Sequence, residues 1–125
     1  MSGTVAGAIE GMALGVPSIA LSQAGYLEAG TDFTVAEAHG AAIIRRLIEI
    51  GWPAEVVLNI NFPGGPPEEV KEVEVTRQGF REIQVRHPER RTDLRGHDYY
   101  WIGFRNEKSE PPEGTDLRAF HEGRI

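Results

Sequence analysis

The residues best suited to chemistry stand at the start of the chain, where Ser2, Gly3 and Thr4 open an amphipathic segment. The first turn of a helix has unpaired N–H groups and partial positive charge, and both favour an anion such as phosphate. A simpler interpretation is that Ser2 or Thr4 only caps the helix. The helix itself is predicted from apolar residues at the i, i+3, i+4 and i+7 spacing, namely Val5, Ala8, Ile9 and Met12.

The elements that must position this turn alternate between helix and strand. Gly15 is predicted to end the first helix, and residues 18–22 form a short apolar strand. A second helix begins at Thr31 or Asp32 and runs to about Ile50. Its predicted buried stripe consists of Ile43, Ile44, Leu47 and Ile48.

Residues 55–62 are mostly apolar and predict a strand covered on both faces. The order of helix, strand, helix and strand is that of an α/β domain with a parallel sheet. Asn59 and Asn61 alternate with apolar residues in this strand. One of them could reach a ligand at the carboxyl end of the sheet, or both could bond to nearby backbone.

The run Pro-Gly-Gly-Pro-Pro at residues 63–67 interrupts the pattern and divides the chain into two regions. Residues 1–62 are predicted to be part of the α/β domain, and residues 63–125 a hairpin and oligomerisation region. A last short helix over residues 117–121 follows a capping Gly-Thr-Asp sequence.

The second region is predicted to form an extended hairpin arm over residues 70–103. Its parts are a strand over 70–76, a turn at 78–79, a strand over 81–86, a polar loop over 87–97 and an aromatic strand over 98–103. An isolated two-stranded hairpin is marginally stable in water, so Tyr99, Tyr100 and Trp101 are predicted to contact another subunit. Six arginines either form solvated ion pairs or contact a partner subunit or substrate phosphate: Arg77, Arg81, Arg86, Arg90, Arg91 and Arg95.

Composition narrows the possible functions. The chain has 125 residues and a net charge of −6, and the negative charge argues against non-specific nucleic-acid binding. It has no cysteine, which excludes disulfides and thiolate metal sites. It contains no apolar run long enough to span a bilayer and no visible signal peptide, so no membrane association and a cytoplasmic location are expected. The four histidines are scattered and no Asp-Asp pair occurs, so no catalytic residue is predicted.

Five segments taken together resemble the SurE survival-protein family of metal-dependent nucleotidases. They are residues 2–22, 58–63, 75–81, 95–103 and 114–117. Their order and spacing agree with the family along essentially the whole chain. The resemblance implies a partial Rossmann-like α/β fold with a β-hairpin arm used in subunit assembly.

The resemblance also implies an activity, the hydrolysis of nucleoside monophosphates with a divalent metal, magnesium or manganese. Ser2, Gly3 and Thr4 would line the phosphate site beside that metal, and the intact protein would be a homodimer or homotetramer. The metal ligands of the family are expected upstream of Met1, so this chain resembles the carboxyl-terminal half only and is expected to be truncated at both ends. The alternative is a non-catalytic folding or oligomerisation fragment.

Overall fold

The computed structural model describes residues 2–24, 32–80, 83–85, 88–106 and 110–125. The predictions made for Thr31, Arg81 and Arg86 lie outside this part of the chain. None of the helices in the described residues is long and apolar enough to cross a membrane. The elements are α1 (Gly3–Ala13), β1 (Ile19–Gln23), α2 (Thr34–Ile50), β2 (Leu58–Phe62), β3 (Ile83–Val85), β4 (Glu89–Thr92), β5 (Asp98–Trp101), β6 (Phe104–Asn106) and α3 (Asp116–His121).

The helix α1 begins and ends at the predicted residues. Ser2 is its N-cap, and the chain leaves the helix through Gly15, whose φ of 78° is the left-handed conformation that favours glycine. The predicted apolar face is only partly buried among the described residues. Ala8 is buried, whereas 46% of Ile9 is exposed.

The strands β1 and β2 pair in parallel, which confirms the α/β prediction. Their register runs from Ile19 beside Leu58 to Gln23 beside Phe62. β2 begins three residues later than predicted, because residues 53–56 form a turn closed by a 3.0 Å hydrogen bond from the Val56 N–H to the Pro53 carbonyl. The carboxyl ends of both strands therefore lie at one edge of the sheet.

The core lies where α2 packs against β2. Phe62 and Val35 are the largest fully buried side chains, and they form one cluster with Ile60 and Ile125. The predicted α2 stripe is correct for two of its members, since Ile43 and Leu47 pack against this cluster. It is wrong for Ile48, which is 65% exposed on the outer side of the helix.

Residues 83–85 and 88–106, which we call the hairpin, contain two antiparallel ladders. β3 pairs with β6, and β4 pairs with β5 through a register that places Arg90 beside Tyr100. The prediction of a polar loop over 87–97 is wrong for residues 89–92, which form β4. Cross-strand pairing with the aromatic residues of β5 stabilises a strand whose own sequence is polar and charged.

The prediction of a strand over 70–76 is wrong. The backbone of these residues instead bonds to the last residues of the chain. The Lys71 N–H donates to the Gly123 carbonyl at 3.1 Å, and Ile125 exchanges bonds with Glu72 and Glu74 at 2.9 and 2.8 Å. The Arg124 guanidinium also donates to the Glu74 carboxylate at 2.6 Å. We call α1, β1, α2, β2, α3 and residues 122–125 the α/β unit, because Ile125 belongs to the core cluster. The contacts attach residues 71–74 to this unit, so the exposed part of the predicted arm is the hairpin.

Phe62→Ala should lower the free energy of unfolding by about 3–5 kcal/mol, because it leaves a cavity in the only cluster that joins α2, β2 and Ile125 within the described residues. Phe80→Ala is the matched control. Phe80 is 84% exposed, so its loss should change the free energy by no more than about 0.5 kcal/mol. Urea unfolding followed by circular dichroism measures both, and equal effects would contradict this description of the core.

Candidate functional site

The first turn of α1 lies at the carboxyl edge of the sheet. The far end of the helix packs beside the start of β1, since a Cβ built on Gly11 would lie 2.5 Å from the Ser18 Oγ. α1 rises about 15 Å over its length, and β1 extends about 13 Å in the opposite sense. Ser2 and Thr4 are therefore level with the end of β1, where ligands bind in open α/β sheets.

The three candidate residues Ser2, Gly3 and Thr4 are all exposed, and they have different hydrogen bonds. The Ser2 Oγ accepts from the Val5 N–H at 3.5 Å, and the Ser2 carbonyl accepts from the Ala6 N–H at 3.0 Å. Within the described part of the chain, the N–H groups of Gly3 and Thr4 and the Thr4 hydroxyl have no partner. The turn thus holds two backbone donors and one hydroxyl, all open to an anion.

Glycines keep one side of this turn clear. A Cβ built on Gly3 or on Gly7 would meet nothing within 4 Å, whereas Gly11 of the same stripe is closed by Ser18. The α1 sequence also places no acidic residue in the first turn. Beside the Gly3 and Thr4 N–H groups, the first turn of α1 therefore has open space at Gly3 and no acidic side chain of its own.

Asn59 and Asn61, the second pair of candidates, line a cleft of about 540 Å³ that runs along β2. Val5 from the first turn of α1 lines the same cleft. Asn61 is half-buried near the end of β2, and Asn59 is exposed. Asn61 is the nearer of the two to the strand's carboxyl end, but the structure shows no side-chain hydrogen bond for either residue among those described.

The described residues do not fit a divalent cation at this turn. They contain no group of three or more His, Cys, Asp or Glu side chains placed to hold a metal. A hard cation such as Mg²⁺ needs carboxylate oxygens, and the acidic residue of α1, Glu10, stands two turns further along the helix. No metal ligand is therefore assigned in this chain.

The three aromatic candidates occupy β5, and all three are exposed. Tyr99, Tyr100 and Trp101 keep 43%, 65% and 54% of their surface accessible. Alternation along the strand puts Tyr99 and Trp101 on one face and Tyr100 on the other. The Arg91 guanidinium lies over the Trp101 ring at 5.1 Å from its centroid, a cation–π contact.

Charged pairs across β4 and β5 were not predicted individually from the sequence. Asp98 accepts from the Arg90 guanidinium and, at 2.8 Å, from the Thr92 hydroxyl. These two hydrogen bonds, chiefly that from Arg90, hold the pKa of Asp98 below its usual range. Arg91 also pairs with Glu89, at 3.1 Å. The ion-pair interpretation of the arginines therefore holds for Arg90 and Arg91.

The lowered pKa of Asp98 predicts that acid weakens the hairpin. The stabilisation that ionised Asp98 gives the hairpin is complete above the ordinary Asp pKa of about 4, and it is lost as the pH falls through the lowered pKa. The amide chemical shifts of Thr92 and Tyr99 can be followed by NMR from about pH 6 to about pH 2. They should move toward the values expected when β4 and β5 are no longer paired. In Asp98→Asn this acid-dependent change should vanish; an unaltered titration would show that Asp98 does not hold the strands together.

Comparison with known proteins extends these observations. The family model described as survival protein SurE matches residues 1–85. A protein of Phenylobacterium zucineum (strain HLK1) named 5'-nucleotidase SurE is 72% identical over all 125 residues. One of the same name from Caulobacter vibrioides (strain NA1000 / CB15N) is 63% identical over the whole chain. Each match covers 49% of the relative, so the chain spans about half the length of the curated relatives it matches.

A solved structure agrees with the sequence comparisons. The crystal structure of the SurE protein from Aquifex aeolicus is similar over 98% of this chain, with a TM-score of 0.75 and 36% identity, and the match covers 48% of that chain. The predicted resemblance and fold class are thereby confirmed. That the matched half is the carboxyl-terminal one stays a prediction. On the family match and the shared fold, this chain belongs to the SurE family.

Proposed function

We propose that this chain supplies the phosphate-binding turn and the assembly hairpin of a SurE-type 5'-nucleotidase, which hydrolyses nucleoside monophosphates to nucleoside and phosphate. One observation carries the proposal. The first turn of α1 opens at the carboxyl edge of a parallel sheet, and the N–H groups of Gly3 and Thr4 have no partner among the residues that the structure describes. The names of the relatives, 5'-nucleotidase SurE, support the reaction class.

The residues of this chain bind and orient the phosphate in the proposed site. The N–H groups of Gly3 and Thr4 donate to its oxygens, and the Thr4 hydroxyl adds a third donor. The partial positive charge at the start of α1 favours the phosphate dianion over neutral ligands. Ser2 fixes the turn by capping it, so that these donors keep their direction before substrate arrives.

The metal of the proposed reaction, magnesium or manganese, would polarise the phosphoryl group and lower the pKa of a bound water. The described residues supply no acidic cluster for it. The role proposed for these residues is therefore to bind and orient the phosphate.

The hairpin is proposed to dock on another subunit of a homodimer or homotetramer. β4 and β5 are exposed at every residue, and two strands alone are marginal in water. The division into an α/β region over residues 1–62 and an assembly region over 63–125 belongs to the same proposal. The cytoplasmic location expected from the sequence stays a prediction.

A non-catalytic folding or assembly module is the alternative, favoured by the lack of an acidic cluster in the described residues. The two are separated by a chimera that joins this chain to the half of the Phenylobacterium zucineum relative that it does not match. The chimera, assayed with manganese and a nucleoside monophosphate, should release phosphate, whereas the isolated chain should release little. A chimera that folds but has no turnover would favour the alternative.

Thr4→Val in the chimera should weaken phosphate binding about tenfold, because it removes one hydrogen bond to a charged group and keeps the shape of the side chain. The measurement is the inhibition constant for inorganic phosphate. Thr34→Val is the matched control, since Thr34 is an exposed threonine in the first turn of α2. An inhibition constant unchanged by Thr4→Val would reduce Thr4 to a helix-initiating residue.

Trp101→Asp in the chimera should shift the protein to a smaller oligomer, because docking would bury an unpaired charge. Light scattering reports the mass, and Trp101→Phe, which keeps an aromatic ring, should leave it unchanged. If both variants fold and have the same mass as the parent, Trp101 is not part of the subunit contact.

A further inference from the structure

Two segments that are far apart in sequence meet where the hairpin joins the rest of the chain. The Arg77 N–H donates to the Gly114 carbonyl at 3.1 Å, and the Asp116 N–H donates to the Arg77 carbonyl at 3.0 Å. These bonds form a parallel bridge between Arg77 and Thr115. We call residues 77–79 and 114–117 the junction.

One carboxylate closes the junction. The Asp116 Oδ1 accepts from the Gly79 N–H at 2.6 Å and from the Leu117 N–H at 2.9 Å. The same atom thus holds the segment that enters the hairpin and the first turn of α3. A carboxylate that accepts two backbone N–H bonds makes stronger contacts than a neutral acceptor would.

Residue 79 lies close to the Asp116 carboxylate, which favours a glycine there. A Cβ at this position would lie 3.0 Å from the Asp116 Oδ1, 3.2 Å from the Thr115 Cβ and 3.3 Å from the Leu117 Cδ1. Contacts that tight would push the carboxylate or its neighbours back by a few tenths of an ångström. Gly79 and Asp116 therefore depend on one another.

The other side of the junction is fixed by Thr115. It is 3% exposed, its hydroxyl donates to the Pro112 carbonyl at 2.7 Å, and its Oγ1 accepts from the Arg118 N–H at 3.4 Å. Thr115 thus fixes the segment that leads from the hairpin into α3.

The junction lies between the α/β unit and the exposed hairpin. Every residue of β4 and β5 is exposed, so nothing in the described part of the α/β unit covers them. We propose that Asp116 is a positioning residue that fixes the direction of the hairpin relative to the α/β unit. The role of Asp116 in assembly rests on the proposed docking of the hairpin, because a hairpin of fixed direction presents Trp101 to a partner subunit at one angle.

The test compares Asp116→Ala with Asp116→Asn in the isolated chain. The asparagine keeps an Oδ1 acceptor for both N–H groups, and the alanine removes it. Residual dipolar couplings give the orientation of β4 and β5 relative to α2, and ¹⁵N relaxation gives their order parameters. Asp93→Ala is the matched control, since the Asp93 Oδ1 accepts from the Arg95 and His97 N–H groups within the hairpin turn alone.

In the wild type and in Asp116→Asn, one alignment should fit α2, β4 and β5. In Asp116→Ala, β4 and β5 should need an alignment of their own, and their order parameters should fall below the wild-type values while those of α2 stay unchanged. Asp93→Ala should alter only the turn. If Asp116→Ala does not fold, Gly79→Ala takes its place, since its Cβ displaces the same carboxylate.

A single shared alignment in the folded Asp116→Ala or Gly79→Ala variant would overturn the inference. That result would leave the docking proposal intact, since docking is read from the mass of the chimera. Conversely, a monomeric chimera would remove the docking proposal while the couplings still report whether Asp116 orients the hairpin.

Discussion

Parallel pairing of β1 with β2 is the constraint on which the remaining geometry depends. It puts the carboxyl ends of both strands at one edge, and a helix that precedes β1 through a tight turn must begin at that same edge. The Gly3 and Thr4 N–H groups, unpaired within the described part of the chain, therefore lie at the end of the sheet. Had the strands paired in the opposite sense, the ends of β1 and β2 would lie apart and no shared edge would exist.

One amide side chain maintains this edge. Gln23, the last residue of β1, donates from Nε2 to the Pro63 carbonyl at 2.7 Å and to the Ala24 carbonyl at 3.2 Å, while its Oε1 accepts from the Ala36 N–H at 3.0 Å. It thus joins the ends of both strands to the first turn of α2. The core beneath it, built on Phe62 and Val35, supplies the apolar burial that these polar contacts cannot.

The sequence predicted the elements whose signals are local. Ser2 and Gly15 mark helix ends through capping and left-handed backbone, and the parallel pair follows from the order of elements. Residues 70–76 were predicted wrongly because their alternation resembles a strand, whereas their bonds go to residues 123–125. The pairing of Gly79 with Asp116 was missed because a contact between residues 37 positions apart leaves no periodic pattern in the sequence.

Phosphate binding at the first turn of α1 can be tested by titrating inorganic phosphate into the ¹⁵N-labelled chain and following every assigned amide. Binding there should give saturable downfield shifts at Gly3 and Thr4, whose N–H groups have no partner among the described residues, with little change in β4 and β5. Shifts confined to the arginines of the hairpin, or none at all, would contradict it, because the turn would then be only a capped helix end.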